Sequence, residues 1–182
     1  MRTLETERLI LRDWKMSDLD DYFKLRSNPN ITIPDGDLPK KTTEECLPIF
    51  KYLLQAKNNY ALVLKDTNSV IGSVGLNEDA DGNENVRNVG FSLDEAYWNK
   101  GLMTEALRII IANANEITSV LSMTHTKGNT RTEHIAKKFG FTYIKTFTNI
   151  KSESDEFPKD NLYYILKLQY RAESPLLQVW DG

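Results

Sequence analysis

The fold is predicted mainly from the stretch Tyr97-Trp98-Asn99-Lys100-Gly101-Leu102-Met103-Thr104-Glu105-Ala106-Leu107. It follows an apolar, strand-like run at residues 86–93 and opens a helical run at residues 104–115. The first N–H groups of a helix lack intrahelical partners, and the helix dipole favours negative charge beside them. Because Gly101 lets the backbone approach a ligand without a Cβ in the way, we interpret the stretch as a phosphate-binding turn. The alternative is a structural turn that binds no ligand.

A second block, Asn129-Thr130-Arg131-Thr132-Glu133-His134-Ile135-Ala136-Lys137-Lys138-Phe139-Gly140-Phe141, follows an apolar strand at residues 120–124. Asn129 or Thr130 can cap a helix here, and Gly140 is suited to its C-terminal end. Apolar residues recur at helical spacing along one face of this segment. An ordinary amphipathic helix is the alternative to a functional one.

Neither the P-loop pattern G-x-x-x-x-G-K-[ST] nor G-x-G-x-x-G occurs in the chain. The first block instead resembles the pyrophosphate loop of GNAT acetyltransferases, Q/R-x-x-G-x-G/A, and most closely its form in the RimJ/RimL-like branch, the ribosomal-protein N-acetyltransferases and their relatives. Trp98 stands where Gln or Arg is usual, as in that branch, and Met103 stands where Gly or Ala is usual. The second block resembles the GNAT segment N-x-x-S/A, with Asn129 in the Asn position and Thr132 in place of Ser.

Both ends of the chain extend this resemblance. Residues 4–25, LETERLILRDWKMSDLDDYFKL, resemble the opening strand and first helix of the branch, and NLYYILKL at 161–168 resembles its last strand. The resemblance implies one GNAT domain at 1–170, followed by a C-terminal tail at 171–182. It implies an α+β fold with a mixed, mainly antiparallel central sheet flanked by helices. Two splayed strands, ending at Leu93 and Thr124, would hold the arm of acetyl-CoA.

The hydrophobic pattern predicts the individual elements. We expect a hairpin at 67–69, a helix N-cap at Ser17, and irregular loops at 28–41, 78–85 and 151–160. The predicted strands are 9–12, 60–65, 70–77, 86–93, 120–124, 141–149 and 162–168, and the predicted helices are 17–27, 43–56, 104–115 and 130–138.

Composition bounds the class of protein. The chain has 182 residues, of which 40% are hydrophobic and 27% charged, and its net charge is −3. These values predict a globular protein without a direct nucleic-acid or membrane partner. Cys46 is the only cysteine, so no intrachain disulfide forms, which fits the cytoplasm. We expect Cys46 to be a small, half-buried side chain rather than a nucleophile.

The resemblance implies acetyl-CoA as co-substrate, no metal, and a set of residues that contact the cofactor. Thr132 and Asn129 are the expected catalytic residues. Thr132 would donate to the leaving sulfur or relay through water, or else only support the start of its helix, and Asn129 would bind the cofactor arm beside it. A backbone N–H in the 91–93 segment would polarise the carbonyl, and Ala136 occupies the place of the tyrosine acid of many GNAT enzymes. The expected cofactor-binding residues are Phe91, Ser92, Leu93, Trp98, Asn99, Lys100, Gly101, Leu102, Met103, Thr104, Asn129 and Arg131.

No general base stands out in the sequence. The carboxylates considered are Glu84, Asp94, Glu95 and Glu133, and His125 is a better histidine candidate than His134. An α-amine of pKa ~8 is neutral about a tenth of the time at pH 7, whereas a lysine amine is neutral about one part in 2,500. A base therefore matters less for a protein N-terminus than for a lysine-like amine.

Three functions remain open from sequence. The first is an N-acetyltransferase acting on a small-molecule amine or on a protein N-terminus, for instance that of a ribosomal protein. The second is a degenerate CoA-binding module with a regulatory or scaffolding role, and the third is an interaction protein that keeps only the fold. The apolar tail residues Leu176, Leu177, Val179 and Trp180 would pack on their own domain or on a second subunit, which leaves monomer and homodimer open.

Overall fold

Eight strands form one sheet in the computed structural model, which describes residues 3–149 and 159–168. The strand order is β1-β2-β3-β4-β5-β6-β8-β7, and every neighbouring pair is antiparallel except β5 and β6. The strands are β1 (Leu4–Glu5), β2 (Leu9–Arg12), β3 (Asn59–Leu64), β4 (Val70–Glu78), β5 (Val86–Leu93), β6 (Val120–Thr126), β7 (Thr142–Asn149) and β8 (Lys159–Lys167).

Five α-helices among the described residues cover the two faces of this sheet. They are α1 (Leu19–Ser27), α2 (Pro29–Thr32), α3 (Thr43–Leu53), α4 (Leu102–Asn113) and α5 (Thr130–Lys138). Successive residues of a strand point to opposite faces, so β3 contributes Ala61 and Val63 to a cluster with α1 and α3, and Leu62 to the larger cluster with α4. The α+β class predicted from sequence, with a mixed, mainly antiparallel sheet flanked by helices, is confirmed.

The parallel pair β5 and β6 stays together for only three residues. Val86 lies opposite Val120 and Asn88 opposite Ser122. Beyond these residues β5 continues to Leu93 and β6 to Thr126, but the two strands no longer pair with each other. The predicted splay of two neighbouring strands is therefore present. It opens a gap in the middle of the sheet, between the carboxyl ends of both strands.

Several predicted boundaries agree with the structure. Helix α5 spans residues 130–138 and β5 spans 86–93, as predicted. The hairpin at 67–69 joins the antiparallel strands β3 and β4, with Asn68 at a positive φ of 55°. Strand β6 runs two residues further than predicted, and β8 begins at 159 rather than 162.

Four local predictions were wrong, and one of them concerns helix α3, which ends at Leu53 rather than at residue 56. The 28–41 segment is not wholly irregular, because Pro29 begins the short helix α2 and the Asn28 side chain accepts from the N–H of Asn30. Ser17 does not cap α1; a 3₁₀ turn at Met16–Asp18 precedes the helix, and the Asp18 carboxylate accepts from the N–H of Lys15. Helix α4 begins two residues before the predicted start at 104.

Two further predictions concern the burial of Cys46 and the packing of the C-terminal tail. Cys46 is buried in the α1–α3 cluster rather than half-buried, and burial raises the pKa of its thiol. The apolar tail, with Leu176, Leu177, Val179 and Trp180, lies outside the described residues. Within residues 3–149 and 159–168, no helix is long and apolar enough to cross a membrane.

Candidate functional site

The turn before α4 is held in a left-handed backbone conformation. Asn99 has a φ of 59°, and Gly101 has a φ of 77° at the N-cap position, where no side chain caps the helix. The side chains of Leu102 and Met103 are 3% and 6% exposed and pack into the core. Met103 therefore does not stand over the turn, and the backbone N–H groups at the start of α4 are left for an anion.

Arg8 anchors this turn to the hairpin between β1 and β2. Its Nη1 donates to the Lys100 carbonyl at 2.9 Å, and its Nε donates to the Glu105 carboxylate at 2.7 Å. Glu105 also accepts from the Thr6 hydroxyl at 2.5 Å and the Arg8 N–H at 2.8 Å. A Cβ added to Gly101 would lie 3.6 Å from Nη2 of Arg8, so a guanidinium borders the turn on one side.

Trp98 ties the same turn to the end of β5. Its indole N–H donates to the Leu93 carbonyl at 2.8 Å. The guanidinium carbon of Arg131 lies 3.8 Å above the Trp98 ring, and Arg131 also donates to the Asn30 carbonyl at 3.0 Å. One stacked arginine thus links the turn before α4, the start of α5 and the short helix α2.

The backbone of β5 directs alternate residues into the gap. The backbone N–H of Asp94 donates to the Ile71 carbonyl at 2.8 Å, so these two residues form a hydrogen-bonded pair that continues the β4–β5 ladder. Since such pairs alternate along an antiparallel ladder, Ser92 faces β4, while Phe91 and Leu93 direct their backbone groups to the other edge. The predicted oxyanion donor in 91–93 is thereby narrowed to Phe91 and Leu93.

A cavity of about 510 Å³ lies over the gap and the turn, and we call it the first cavity. Lys100 is the predicted site residue that does not line it; its ammonium stands 5.4 Å from the centre of the Tyr97 ring. The predicted residues that do line it are Phe91, Ser92, Leu93, Trp98, Asn99, Gly101, Leu102, Met103, Thr104, Asn129, Arg131 and Thr132.

One face of α5 brings basic side chains to the first cavity. Arg131, His134 and Lys138 recur at helical spacing and line it. Lys137 points elsewhere and forms an ion pair with Glu133 at 2.6 Å. The basic residues of this helix are therefore divided between a cavity wall and a solvated ion pair.

A second cavity, of about 430 Å³, adjoins the first. The two cavities share four of their lining residues, which are Pro34, Asp35, Phe91 and Thr132. The second continues between the 33–37 loop and the strands, past Thr124, His125, Phe147 and Asn161. We call the place where the two cavities meet the junction. It combines the Asp35 carboxylate, the Thr132 hydroxyl and the backbone of β5 at Phe91.

The two residues predicted to be catalytic occupy different situations. The Thr132 hydroxyl, within the described part of the chain, has no hydrogen-bond partner and lies at the junction of the cavities. Asn129 caps α5, since its Oδ1 accepts from the N–H of Thr132 at 3.2 Å, and its Nδ2 approaches the Pro34 carbonyl at 3.5 Å. Both ends of that amide contact the protein, and its predicted contact to the cofactor arm stays a prediction.

The carboxylates considered from sequence do not line either cavity. Asp94 is paired with Lys24 at 2.6 Å. Hydrogen bonds from Asn30 and Asn28 lower the pKa of Glu95, and the bond from Lys137 lowers that of Glu133. His125 does line the second cavity, but it is 5% exposed and its Nδ1 lies 3.0 Å from the Thr126 carbonyl.

The 33–37 loop holds two acidic residues that the sequence interpretation passed over. Asp37 forms ion pairs with Arg26 and with Lys40. Burial acts to raise the pKa of Asp37, but the two cations and the N–H of Leu38 outweigh it and the pKa is lowered. Asp35 has no hydrogen-bond or ion-pair partner for its carboxylate among the described residues. Its position one residue from Pro34, in a loop without periodicity, gave no indication from sequence alone.

Comparison with known proteins agrees with this geometry. Residues 8–142 match the family described as Acetyltransferase (GNAT) domain. The chain belongs to the GNAT acetyltransferase family. It is also 28% identical over 116 residues to a Bacillus licheniformis protein named as an uncharacterized N-acetyltransferase, p20; the match covers 61% of this chain and 65% of that relative.

Solved structures share the fold. An acetyltransferase of the GNAT family from Bacillus anthracis superposes with a TM-score of 0.80 at 18% identity, over 93% of this chain and 100% of that one. A ribosomal-protein-S5-alanine acetyltransferase from Vibrio fischeri gives a TM-score of 0.71 at 16% identity, over 93% and 98% of the two chains. At these identities the likeness concerns the fold alone.

Proposed function

We propose that this protein transfers the acetyl group of acetyl-CoA directly to a primary amine. The observation that carries the proposal is the meeting of two cavities at the gap between β5 and β6, of which the first is bordered by the left-handed turn before α4 and both are lined by Asp35. Membership in the GNAT family supports it. Two substrates entering from two sides would bring their reacting atoms together at the junction.

The first cavity fits the chemistry of CoA. The uncapped N–H groups before Glu105 and the positive φ of Gly101 suit a pyrophosphate, which carries negative charge and needs close backbone approach. Arg131 and Lys138 add positive charge along the same wall. The edge of β5 beyond Asn88 offers free backbone groups to an extended amide-containing arm such as pantetheine.

The chemistry at the junction follows from its residues. The amine nitrogen attacks the thioester carbon, the C–S bond breaks, the amine gives up one proton and the CoA sulfur takes one. Backbone N–H groups of Phe91 or Leu93 would stabilise the developing oxyanion. The free hydroxyl of Thr132 can donate to the leaving sulfur, which with a thiol pKa of ~8.5 leaves with modest help.

We place the protein in the RimJ/RimL-like branch and favour an α-amine, at a protein N-terminus or on a small molecule, as the acceptor. Trp98 and Thr132 are the residues that support the branch. The structural neighbour named as a ribosomal-protein-S5-alanine acetyltransferase supports the same view through the fold. A cytoplasmic location fits such substrates and the reduced, buried Cys46.

The test combines binding and transfer. Acetyl-CoA should raise the melting temperature, because a ligand that binds only the folded state stabilises it. Mass spectrometry should then find one amine acetylated in a panel of peptides with free N-termini, Nα-acetyl-lysine amide, small alkylamines and ribosomal proteins. No thermal shift and no calorimetric heat at millimolar acetyl-CoA would overturn the proposal. Binding without acetylation of any acceptor would instead support a CoA-binding module.

A further inference from the structure

The acidic loop at 33–37 presents two carboxylates in opposite situations. Asp37 is neutralised by Arg26 and Lys40, and these contacts fix the loop to α1. Asp35, two residues away, extends to the junction of the two cavities and has no partner among the described residues. A carboxylate without a protein partner at the meeting point of two cavities is available to a ligand that binds there.

The loop is held firmly enough to aim Asp35. The N–H groups of Asp35 and Asp37 both donate to the Thr32 carbonyl at 3.0 Å, and Thr32 is fully buried. Asn129 approaches the Pro34 carbonyl from the start of α5. A Cβ added to Gly36 would lie 3.7 Å from Oγ1 of Thr126, which places the loop against the end of β6. The loop therefore closes one wall of the gap between the splayed strands.

We propose that Asp35 is the general base of the acetyl transfer and that it receives the proton of an acceptor α-amine that enters through the second cavity. This inference rests on the proposed function. The amine nitrogen forms a bond to the thioester carbon, one N–H proton passes to Asp35, and the C–S bond breaks. The sulfur leaves as a thiolate that accepts a hydrogen bond from the Thr132 hydroxyl and takes its proton from water, and Asp35 later releases its proton to solvent.

Electrostatics support this role. Asp35 is open to water across the cleft, but protein surrounds it on its other sides, and this partial desolvation raises its pKa to about 6. The charged groups around it are Arg26 on α1 and Arg131 on α5, which lower the pKa, and Asp37 in the loop, which raises it. The titratable neighbour on β6 is His125, which lines the second cavity. Bound substrates displace water from the cleft and strengthen the base further.

The strength of this base matches one class of amine. An α-amine has a pKa of ~8 and a lysine-type amine of ~10.4, so the first needs a far weaker base near neutral pH. The hydroxyls of Thr124 and Thr126 and the amide of Asn161 line the second cavity and suit an acceptor with a polar group next to its amine. The N-terminal residue of a peptide has this arrangement.

The experiment compares Asp35→Asn with Asp37→Asn, its neighbour in the same loop. The probes are alanine amide and Nα-acetyl-lysine amide, followed by the fastest acceptor of the panel described above. For wild type, kcat/KM per concentration of neutral amine should fall below about pH 6, and alanine amide should be the better probe. Asp35→Asn should lower kcat/KM about 100-fold and remove this pH dependence, with the KM for acetyl-CoA unchanged. Asp37→Asn should keep a pH dependence, with a midpoint below that of wild type because the charge of Asp37 no longer raises the pKa of Asp35.

A second readout is independent of turnover. The pKa of Asp35 is raised in the folded state, so its carboxylate destabilises the protein once it ionises. Asp35→Asn should therefore raise the melting temperature at pH 7, and this gain should vanish as the pH falls through 6 towards 4. Asp37 has a lowered pKa and forms ion pairs, so Asp37→Asn should lower the melting temperature at pH 7.

Each outcome separates the two proposals. Acetyl transfer that survives Asp35→Asn with its rate and pH profile intact overturns the role of Asp35 and leaves the proposed function standing. A lysine-type amine acetylated faster than alanine amide overturns the α-amine assignment. Absence of transfer to any amine by the wild-type protein overturns the proposed function itself, and the base with it.

Discussion

The turn at residues 97–105 and the loop at residues 33–37 border the same cavity but are stabilised differently. The turn continues into α4, whose Leu102 and Met103 are buried in the larger core cluster, and Glu105 fixes it to Arg8 through short charged contacts. The loop follows a helix of four residues and is held by the Arg26–Asp37 ion pair and by hydrogen bonds to backbone carbonyls. The turn is therefore anchored in the hydrophobic core, whereas the loop is held mainly by polar contacts. Loops with few buried apolar contacts are generally the less stable parts of a fold.

The substitution Gly101→Val should have the largest effect on the turn. A β-branched residue disfavours the φ of 77° and projects into the space where phosphate would approach, so the Kd for acetyl-CoA should rise about 100-fold, or about 2.7 kcal/mol. Gly82→Val is the matched control, because Gly82 has a φ of 74° and open space around it, away from both cavities. Both variants should lose similar stability, measured by thermal unfolding. Equal acetyl-CoA affinity in the two would show that the turn holds no phosphate.

Thr132→Val tests the junction between the two regions. The change keeps the shape and removes the hydroxyl, so kcat should fall about 10- to 100-fold while the KM for acetyl-CoA changes little. Thr132→Ser should restore most of kcat, because it returns a hydroxyl to the same position. Full turnover in the valine variant would make Thr132 structural and leave the thiolate to depart unaided or through water.

Glu105→Gln weakens the attachment of the turn without touching the proposed phosphate site. The Kd for acetyl-CoA should rise about 5-fold because the turn loses its charged partner for Arg8. Burial acts to raise the pKa of Glu105, but hydrogen bonds from Thr6 and Arg8 outweigh it and lower the pKa. The folded state therefore gains stability from the ionised form above the unfolded pKa, and this gain is lost as the pH falls through the folded value.

Melting temperatures measured across pH test whether ionised Glu105 stabilises the folded state. The difference between wild type and Glu105→Gln should be full at pH 7 and shrink below about pH 4.5. Glu5→Gln is the control, since Glu5 makes an exposed ion pair with Lys65 at 3.0 Å and should change the melting temperature little at any pH. A constant difference from pH 7 to pH 3 would contradict the electrostatic role of Glu105.

The smallest expected effect separates the two lysines at the end of α5. Lys138→Gln removes a charge from the wall of the first cavity and should raise the KM for acetyl-CoA about 3-fold at low salt, with less effect at high salt. Lys137→Gln removes the neighbouring charge, which is paired with Glu133, and should leave the KM unchanged. If both variants behave alike, the lysines only raise the general positive charge of the helix.

Local patterns carried most of the predictions that are confirmed. Helix α5 matched its predicted span because a cap, an apolar face and a terminal glycine agree over one short segment. The splay between β5 and β6 followed from the family resemblance, and the register shows where pairing stops. Helix α2 was missed because Pro29 and Asn28 act within one turn, too short for hydrophobic periodicity to appear.

The strand–turn–helix unit that leads into α4 and the span of α5 could be predicted from the sequence, because both depend on contacts between residues a few positions apart, which backbone propensity and periodicity encode. The family followed from the resemblance of two motif blocks. Which side chains meet at the site depends instead on contacts between distant parts of the chain. Arg8 reaches Glu105 across 97 positions and Arg131 reaches Asn30 across 101. Asp35 gains its place at the junction because sheet and helices converge there, and no local pattern records that convergence.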